Sequence, residues 1–255
     1  MIHIFLVFLI LIGLLLILWG SVSLGRRFGL AQLKKNKLEV VSVAEGAVFG
    51  LLGLMIAFTF SGAYDRYENR KIHLLEEANT FETAYAMIDL LQPQYQTPLR
   101  NMVRQYLDLH LASYNHIPYL SLVKADLDKA QVLQHQIWKM VVTASKEDPH
   151  QSLIQLVVPA INQMFDAFHT GIDISRLHPP PIVFLLLVGL AALGGFLIGY
   201  NTAETKTQHP VHVLCYVLLT AFIIYLIMNL EFPRVGFIRM NSFDQMLVDV
   251  RKDMT

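Results

Sequence analysis

Gly50, Leu54 and Phe58 recur every four residues in an uncharged stretch, and Ser61 and Asp65 continue the same face of a helix. If several copies of this helix surrounded an axis, that face would present a small residue, two apolar rings, a hydroxyl ring and a carboxylate ring. Apolar rings of this kind close a water column by dewetting, and acidic rings favour cations, so the chemistry on offer is gated passage of ions. The other reading of the stripe is that it packs on a neighbouring helix or faces lipid. Glu45, at the opposite entrance to the helix, is a second candidate, a vestibule charge. A carboxylate near a helix start is also what the macrodipole favours.

Catalysis has no comparable constellation. The chain carries no H-E-x-x-H, no C-x-x-C, no G-x-S-x-G and no phosphate-cradling glycine loop. Its ten histidines are scattered, and His209 and His212 stand three apart with no third ligand nearby, so neither a metal nor another cofactor is expected. Glu76 and Glu77 are adjacent and diverge by about 100° on a helix, which prevents them from facing each other as an acid and base pair must. They read as helix surface or intersubunit contact. An enzyme is not expected, and without a net positive basic face neither is nucleic-acid binding.

The elements that must position these residues belong to a membrane protein. Hydrophobic residues make up 54% of the chain and charged ones 16%, against the usual ~25% charged; mean hydropathy is +0.45. Four uncharged runs, 4–24, 46–64, 182–203 and 211–230, each approach the ~20 residues needed to cross the hydrocarbon core as a helix. The first run has no Lys or Arg before it and exceeds the about 7 to 15 residues of a signal h-region, so it reads as a retained anchor. Cys215 is the single cysteine and lies inside the fourth run, which excludes an intrachain disulfide framework.

Proline is absent before Pro93, so the second spanning helix is predicted to run from 43 through Leu91 without a break, a rod of roughly 70 Å at ~1.5 Å per residue. Past the membrane, Tyr67, Leu74, Ala78, Phe81, Tyr85 and Ile88 fall close to steps of three and four and form a packing seam. Thr97 and Pro98 predict the start of a helix reaching Asn115, with Met102, Val103, Tyr106, Leu109 and Tyr114 on one apolar face. A further helix is predicted from Ser121 to Lys146 with Leu122, Leu133, Ile137, Met140 and Val141. The last runs from Gln151 to Ile174, where Pro159 predicts a kink. The run from His178 to Pro181 marks re-entry into the membrane, and Gly195 and Gly199 have the spacing of a close helix crossing.

The expected fold is therefore an all-α membrane protein with four transmembrane helices and a helical extramembrane bundle inserted between the second and third. Residues 1–64 hold the first two spans, 65–178 the extramembrane domain, 179–232 the last two spans and 233–255 a short tail. Arg26, Arg27, Lys34, Lys35 and Lys37 against Glu39 draw the loop after the first helix to the cytoplasm and the central domain to the far side, whereas Arg234, Arg239, Arg251 and Lys252 pull the other way. A cysteine at residue 130 would report the side.

The stretch Tyr64, Asp65, Arg66, Tyr67, Glu68, Asn69, Arg70, Lys71 resembles the Y-D-R-[FW]-W-E-x-R-K sequence that closes the second helix of bacterial bestrophins. The stretch from Glu231 through Phe232, Pro233 and Gly236 resembles the E-N-P-F-G segment after their fourth helix. More closely, Phe58 to Arg70, Glu76, Glu77, Ala78, Asn79, then Pro233, Gly236, Ile238 and Arg239 resemble the bacterial bestrophin-like membrane proteins over most of the chain. The resemblance implies a homo-oligomeric, typically pentameric, ion channel whose second helix lines a hydrophobic neck and whose helical domain is cytosolic, opposite to the side favoured by residues 25–39. The neck Phe of that family stands eight residues before the Arg of Y-D-R, which is Phe58 here, and steps of four give Leu54 and Gly50. Tyr64, Arg66, Glu68, Arg70, Glu77, Asn79, Pro233, Gly236 and Arg239 would be the family's structural residues. Gly50 is too small for a first constriction, Thr59 stands where a basic residue is common, and no acidic calcium-binding cluster follows the fourth helix.

The expected partners are the lipid bilayer, further copies of the chain and inorganic ions, and the expected location is a bacterial inner membrane crossed several times. A non-conducting scaffold or sensor, whose helical domain binds a partner, is the alternative.

Overall fold

A computed structural model of the protein describes residues 2–35, 42–116, 119–147, 151–203, 210–233, 238 and 241–254. These form eight α-helices in chain order: α1 (Ile2–Leu33), α2 (Ser42–Met87), α3 (Pro93–Asn115), α4 (Leu120–Glu147), α5 (Gln151–Arg176), α6 (Pro181–Asn201), α7 (Pro210–Glu231) and α8 (Asn241–Asp253). A 3₁₀ turn, Ile88–Leu90, follows α2. No strand occurs among the described residues, and α1, α2, α6 and α7 are long and apolar enough to cross a membrane.

The chain divides into two units, one made of 1–67 with 178–239 and the other of 68–177 with 240–255. The first unit contains α1, α6, α7 and the apolar part of α2. Its core includes Leu14, Leu18 and Val22 of α1, Leu52 and Ala63 of α2, Leu187 and Ala191 of α6, and Val217, Ala221, Ile224 and Ile227 of α7. Lipid removes any hydrophobic incentive for helices to pair, so close packing must supply it. Accordingly α1 and α6 meet backbone to backbone. A Cβ on Gly25 would collide with the Phe196 main chain, one on Gly29 with Tyr200 and Ala203, and one on Gly199 with the main chain of Val22 and Arg26. Gly195 and Gly199 thus form the expected crossing, and Gly25 and Gly29 answer them from α1. Gly199→Ala is expected to cost about 1 to 3 kcal/mol, the range for overpacking where the obstacle is main chain, measured as loss of thermal stability in detergent.

The second unit packs the rest of α2 with α3, α4, α5 and α8. Leu74, Ala78, Phe81 and Ile88 are buried, which realises the seam spaced by three and four. Two predicted faces are corrected. On α3 the inward row is Leu99, Val103, Tyr106, Leu107, His110 and Ser113, with Leu109 only half-buried, because polar residues occupy core positions that an apolar count passes over. On α4 Leu122 is exposed, and the core row starts later, at Ala130, Leu133, Ile137 and Val141. Ala130 being buried, a reporter cysteine belongs instead at the exposed Val132.

Helix α3 begins at Pro93, before the predicted start, and carries Pro98 inside it. The carbonyl that Pro98 leaves without a partner belongs to Gln94, an exposed residue whose main chain water can reach. Pro159 lies likewise inside α5, one turn after the exposed Gln155. Part of the segment read as tail is α8, which buries Leu247 and Val250, with Met254 buried just after it, and joins α3 through a bidentate pair, Arg251 Nε to Asp108 Oδ1 at 2.7 Å and Nη2 to Oδ2 at 2.9 Å. The hydrogen bond from Arg251 to that carboxylate is the chief cause holding its pKa above the usual arginine range.

Candidate pore-lining face and the charge cluster beside it

At about 100° per residue, Gly50, Leu54, Phe58, Ser61 and Asp65 span about 80° of the α2 circumference. All five are exposed in the protomer, Leu54 by 51% and Phe58 by 67%. Leu52 and Ala63, the α2 residues buried in the core of the first unit, lie on the opposite side of the same helix. The five-residue face is therefore not the one α2 uses to pack within its own chain. The difference extends to the whole segment: 6% of the apolar window of α2 is buried, against 22 to 33% in the other three spans.

The residues flanking this face form a hydrogen-bonded cluster. Arg66 Nε donates to Glu231 Oε2 at 2.8 Å and Oε1 at 3.1 Å, and His178 Nδ1 lies 3.0 Å from Oε1. The Glu231 side chain is completely buried, so it is met by the Arg66 guanidinium and the His178 ring rather than by water. His178 stacks on Phe232 with ring centroids 4.5 Å apart. Asn229 Oδ1 accepts from the Ile238 main-chain N–H at 3.1 Å, fixing the chain after α7, and Pro233 is buried. Gly236 and Arg239, the remaining residues of that motif, lie outside the described residues.

Between these groups is a cavity of about 200 Å³, walled by Met55, Phe58, Thr59, Gly62 and Arg66 of α2, Pro179, Val183 and Phe184 at the start of α6, and Ile227 and Glu231 at the end of α7. The Arg66 guanidinium folds back one turn over Gly62, where a Cβ would stand 3.3 Å from Nη1 and 3.4 Å from Nη2. Thr59 turns its hydroxyl to its own helix, donating to Met55 O at 2.6 Å.

At the other end of the span Glu45 accepts from Asn201 Nδ2 on α6. It sits in the first turn of α2, where the helix dipole favours a carboxylate. Tyr64 is exposed and stacks on Phe60 with centroids 6.4 Å apart, Glu68 pairs with Lys71 at 2.9 Å, and in the second unit the buried Arg70 donates through Nη2 to Leu177 O at 3.0 Å. Glu76 is exposed beside His73, as a helix surface would have it, but for Glu77 that reading is corrected: it is buried within its own unit, against the His110 ring, and accepts from the Tyr114 hydroxyl at 3.3 Å. Burial, with Glu77 as a second cause, pushes the Tyr106 hydroxyl far above the ordinary tyrosine range. Asn79 is exposed. Among the described residues no group of three His, Cys, Asp or Glu could hold a metal ion.

The partners His178 and His110 were not legible as site residues, since neither lies in a motif. For Glu231 the available signal was a carboxylate ending an otherwise uncharged membrane run.

The model of the Bestrophin-like domain matches residues 12–242. Among solved structures, a variant of a bacterial bestrophin homologue from Klebsiella pneumoniae superposes with a TM-score of 0.73 at 11% identity, covering 94% of this chain and 98% of its own. Another membrane-protein variant gives a TM-score of 0.69 at 12% identity, with 94% and 98% covered. A further structure of the Klebsiella homologue gives 0.65 at 12% identity, with 96% and 98% covered. At these identities the likeness shows the fold. No curated protein matches.

Proposed function

The chain belongs to the Bestrophin-like domain family, and from that premise we propose that it assembles with copies of itself into an ion-conducting pore lined by α2. The observation carrying this reading is the exposed face Gly50, Leu54, Phe58, Ser61 and Asp65, turned away from the core of its own unit. A stripe that only met lipid would have no use for a hydroxyl followed by a carboxylate on the same face. A stripe around an axis would place Leu54 and Phe58 as the dry constriction and Ser61 and Asp65 as the wetted mouth, with Asp65 favouring cations. Glu45 stands on the side of α2 that packs within its own chain, bound to Asn201, and takes no place in this passage. In this reading Tyr64, Arg66, Glu68, Arg70, Glu77, Asn79 and Pro233 hold helices in place and do not touch the ion. The compartment is a bacterial inner membrane.

The test is to measure the mass of the detergent-solubilised protein by light scattering and then ion flux after reconstitution in liposomes. More than two copies per particle, with flux above empty vesicles in KCl or NaCl, is the expected result. A monomer or dimer without flux in several salts would leave the non-conducting scaffold, because two single helices cannot enclose a passage.

A further inference from the structure

We propose that the cavity beside Phe58 is a binding site for a small amphipathic carboxylate, a ring or short chain lying on the apolar wall with its carboxylate on Arg66. Three observations lead there.

The first is the state of Arg66. Its Nε is committed to Glu231, yet its Nη atoms donate to no group among the described residues. A guanidinium offers two edges, and the Nη1/Nη2 edge is the one suited to receive a second carboxylate in bidentate fashion. Glu231 does not cancel that edge, since it is engaged by Arg66 Nε and faced by His178.

The second is why the edge is presented to the cavity. Gly62, which lines the cavity, has no Cβ, and this lets both Nη atoms lie close over that turn of the helix. The third is size and lining. A cavity near 150 Å³ walled by aliphatic and aromatic residues holds benzene, so one of about 200 Å³ accommodates a benzene ring bearing a carboxylate. Met55, Val183, Phe184 and Ile227 supply the apolar wall.

Phe58 borders this cavity and also belongs to the exposed face, so an occupant would press on the side chain proposed as the constriction. The site itself does not depend on the pore: binding is read on purified protein whatever its conductance.

The experiment is a fluorine NMR titration of the detergent-solubilised protein with 4-fluorobenzoate. Saturable binding is expected with a Kd of about 0.1 to 1 mM, as befits about nine ligand atoms besides fluorine and hydrogen. Arg66→Lys, which keeps a charge but loses the fork, should weaken it at least tenfold, and Val183→Trp, which fills the space, should abolish it. Met55→Trp fills the same space from α2 should the first filling variant not fold. The neutral 4-fluorobenzyl alcohol should bind at least tenfold more weakly than the carboxylate. The proposal is overturned by unsaturable binding, by binding indifferent to a folded cavity-filling variant, or by equal binding of the alcohol. It is also overturned if nanodiscs of phosphatidylglycerol, but not of phosphatidylcholine, exclude the probe, which would assign Arg66 to a lipid headgroup.

Discussion

Phe58→Ala is expected to raise ion flux through the protein in liposomes by about tenfold or more, measured by stopped-flow fluorescence under a salt gradient. Removing a phenyl ring from every subunit at once widens and wets an apolar ring, and a barrier lowered by ~1.4 kcal/mol already gives a factor of ten. The side chain is 67% exposed in the protomer, so its loss leaves little cavity within the chain, and stability should hardly change. That separation is what makes the measurement decisive. A variant as stable as wild type with unaltered flux would remove Phe58 from the ion path.

The second large effect concerns stability. Arg66→Ala removes a cation that lies against a carboxylate with no solvent exposure, and taking one partner from a buried pair costs up to about 3 to 5 kcal/mol, reduced here by the hydrogen bond that His178 still makes to Glu231. Denaturation in detergent should show a loss approaching that size. Glu231→Gln in the same background should recover part of it, because the group left behind no longer carries a charge. A loss below about 1 kcal/mol would mean that water reaches Glu231 once the arginine is gone, as at exposed pairs.

The fold was readable wherever one physical rule dominated. The four spans follow from run length, and Gly195 and Gly199 identified one side of a helix crossing because only close packing rewards small residues in lipid. Reading weakened where two rules competed. Proline at position 98 suggested a helix start, but an exposed carbonyl made it tolerable inside one, and α3 begins earlier. His110 and Ser113 interrupted the apolar row of α3, although each is buried, His110 against Glu77 and Ser113 through its bond to His110 O at 2.7 Å. Helix α8 was missed because its short apolar face gains its partner from α3, more than 120 residues earlier. Of the candidate site, the helical face could be read from spacing alone. The Arg66, Glu231 and His178 cluster could not, because it joins residues far apart in the chain, and only the folded structure brings them together.

The backbone contact between α1 and α6 also has a meaning in time. Synthesis reaches the end of α1 at Leu33 and the start of α6 at Pro181 about 150 residues apart, which at about 5 to 20 residues per second is a delay of about 7 to 30 seconds. Throughout that delay α1 is in the bilayer before the helix it will clasp has been made. From residue 4 to 24 its sequence is uncharged, and at the end of that run Gly25 and Gly29, on either side of Arg26 and Arg27, leave only a shallow notch. The first helix is thus suited to waiting in lipid, and the nascent protein closes on it from behind when the fold's third span arrives.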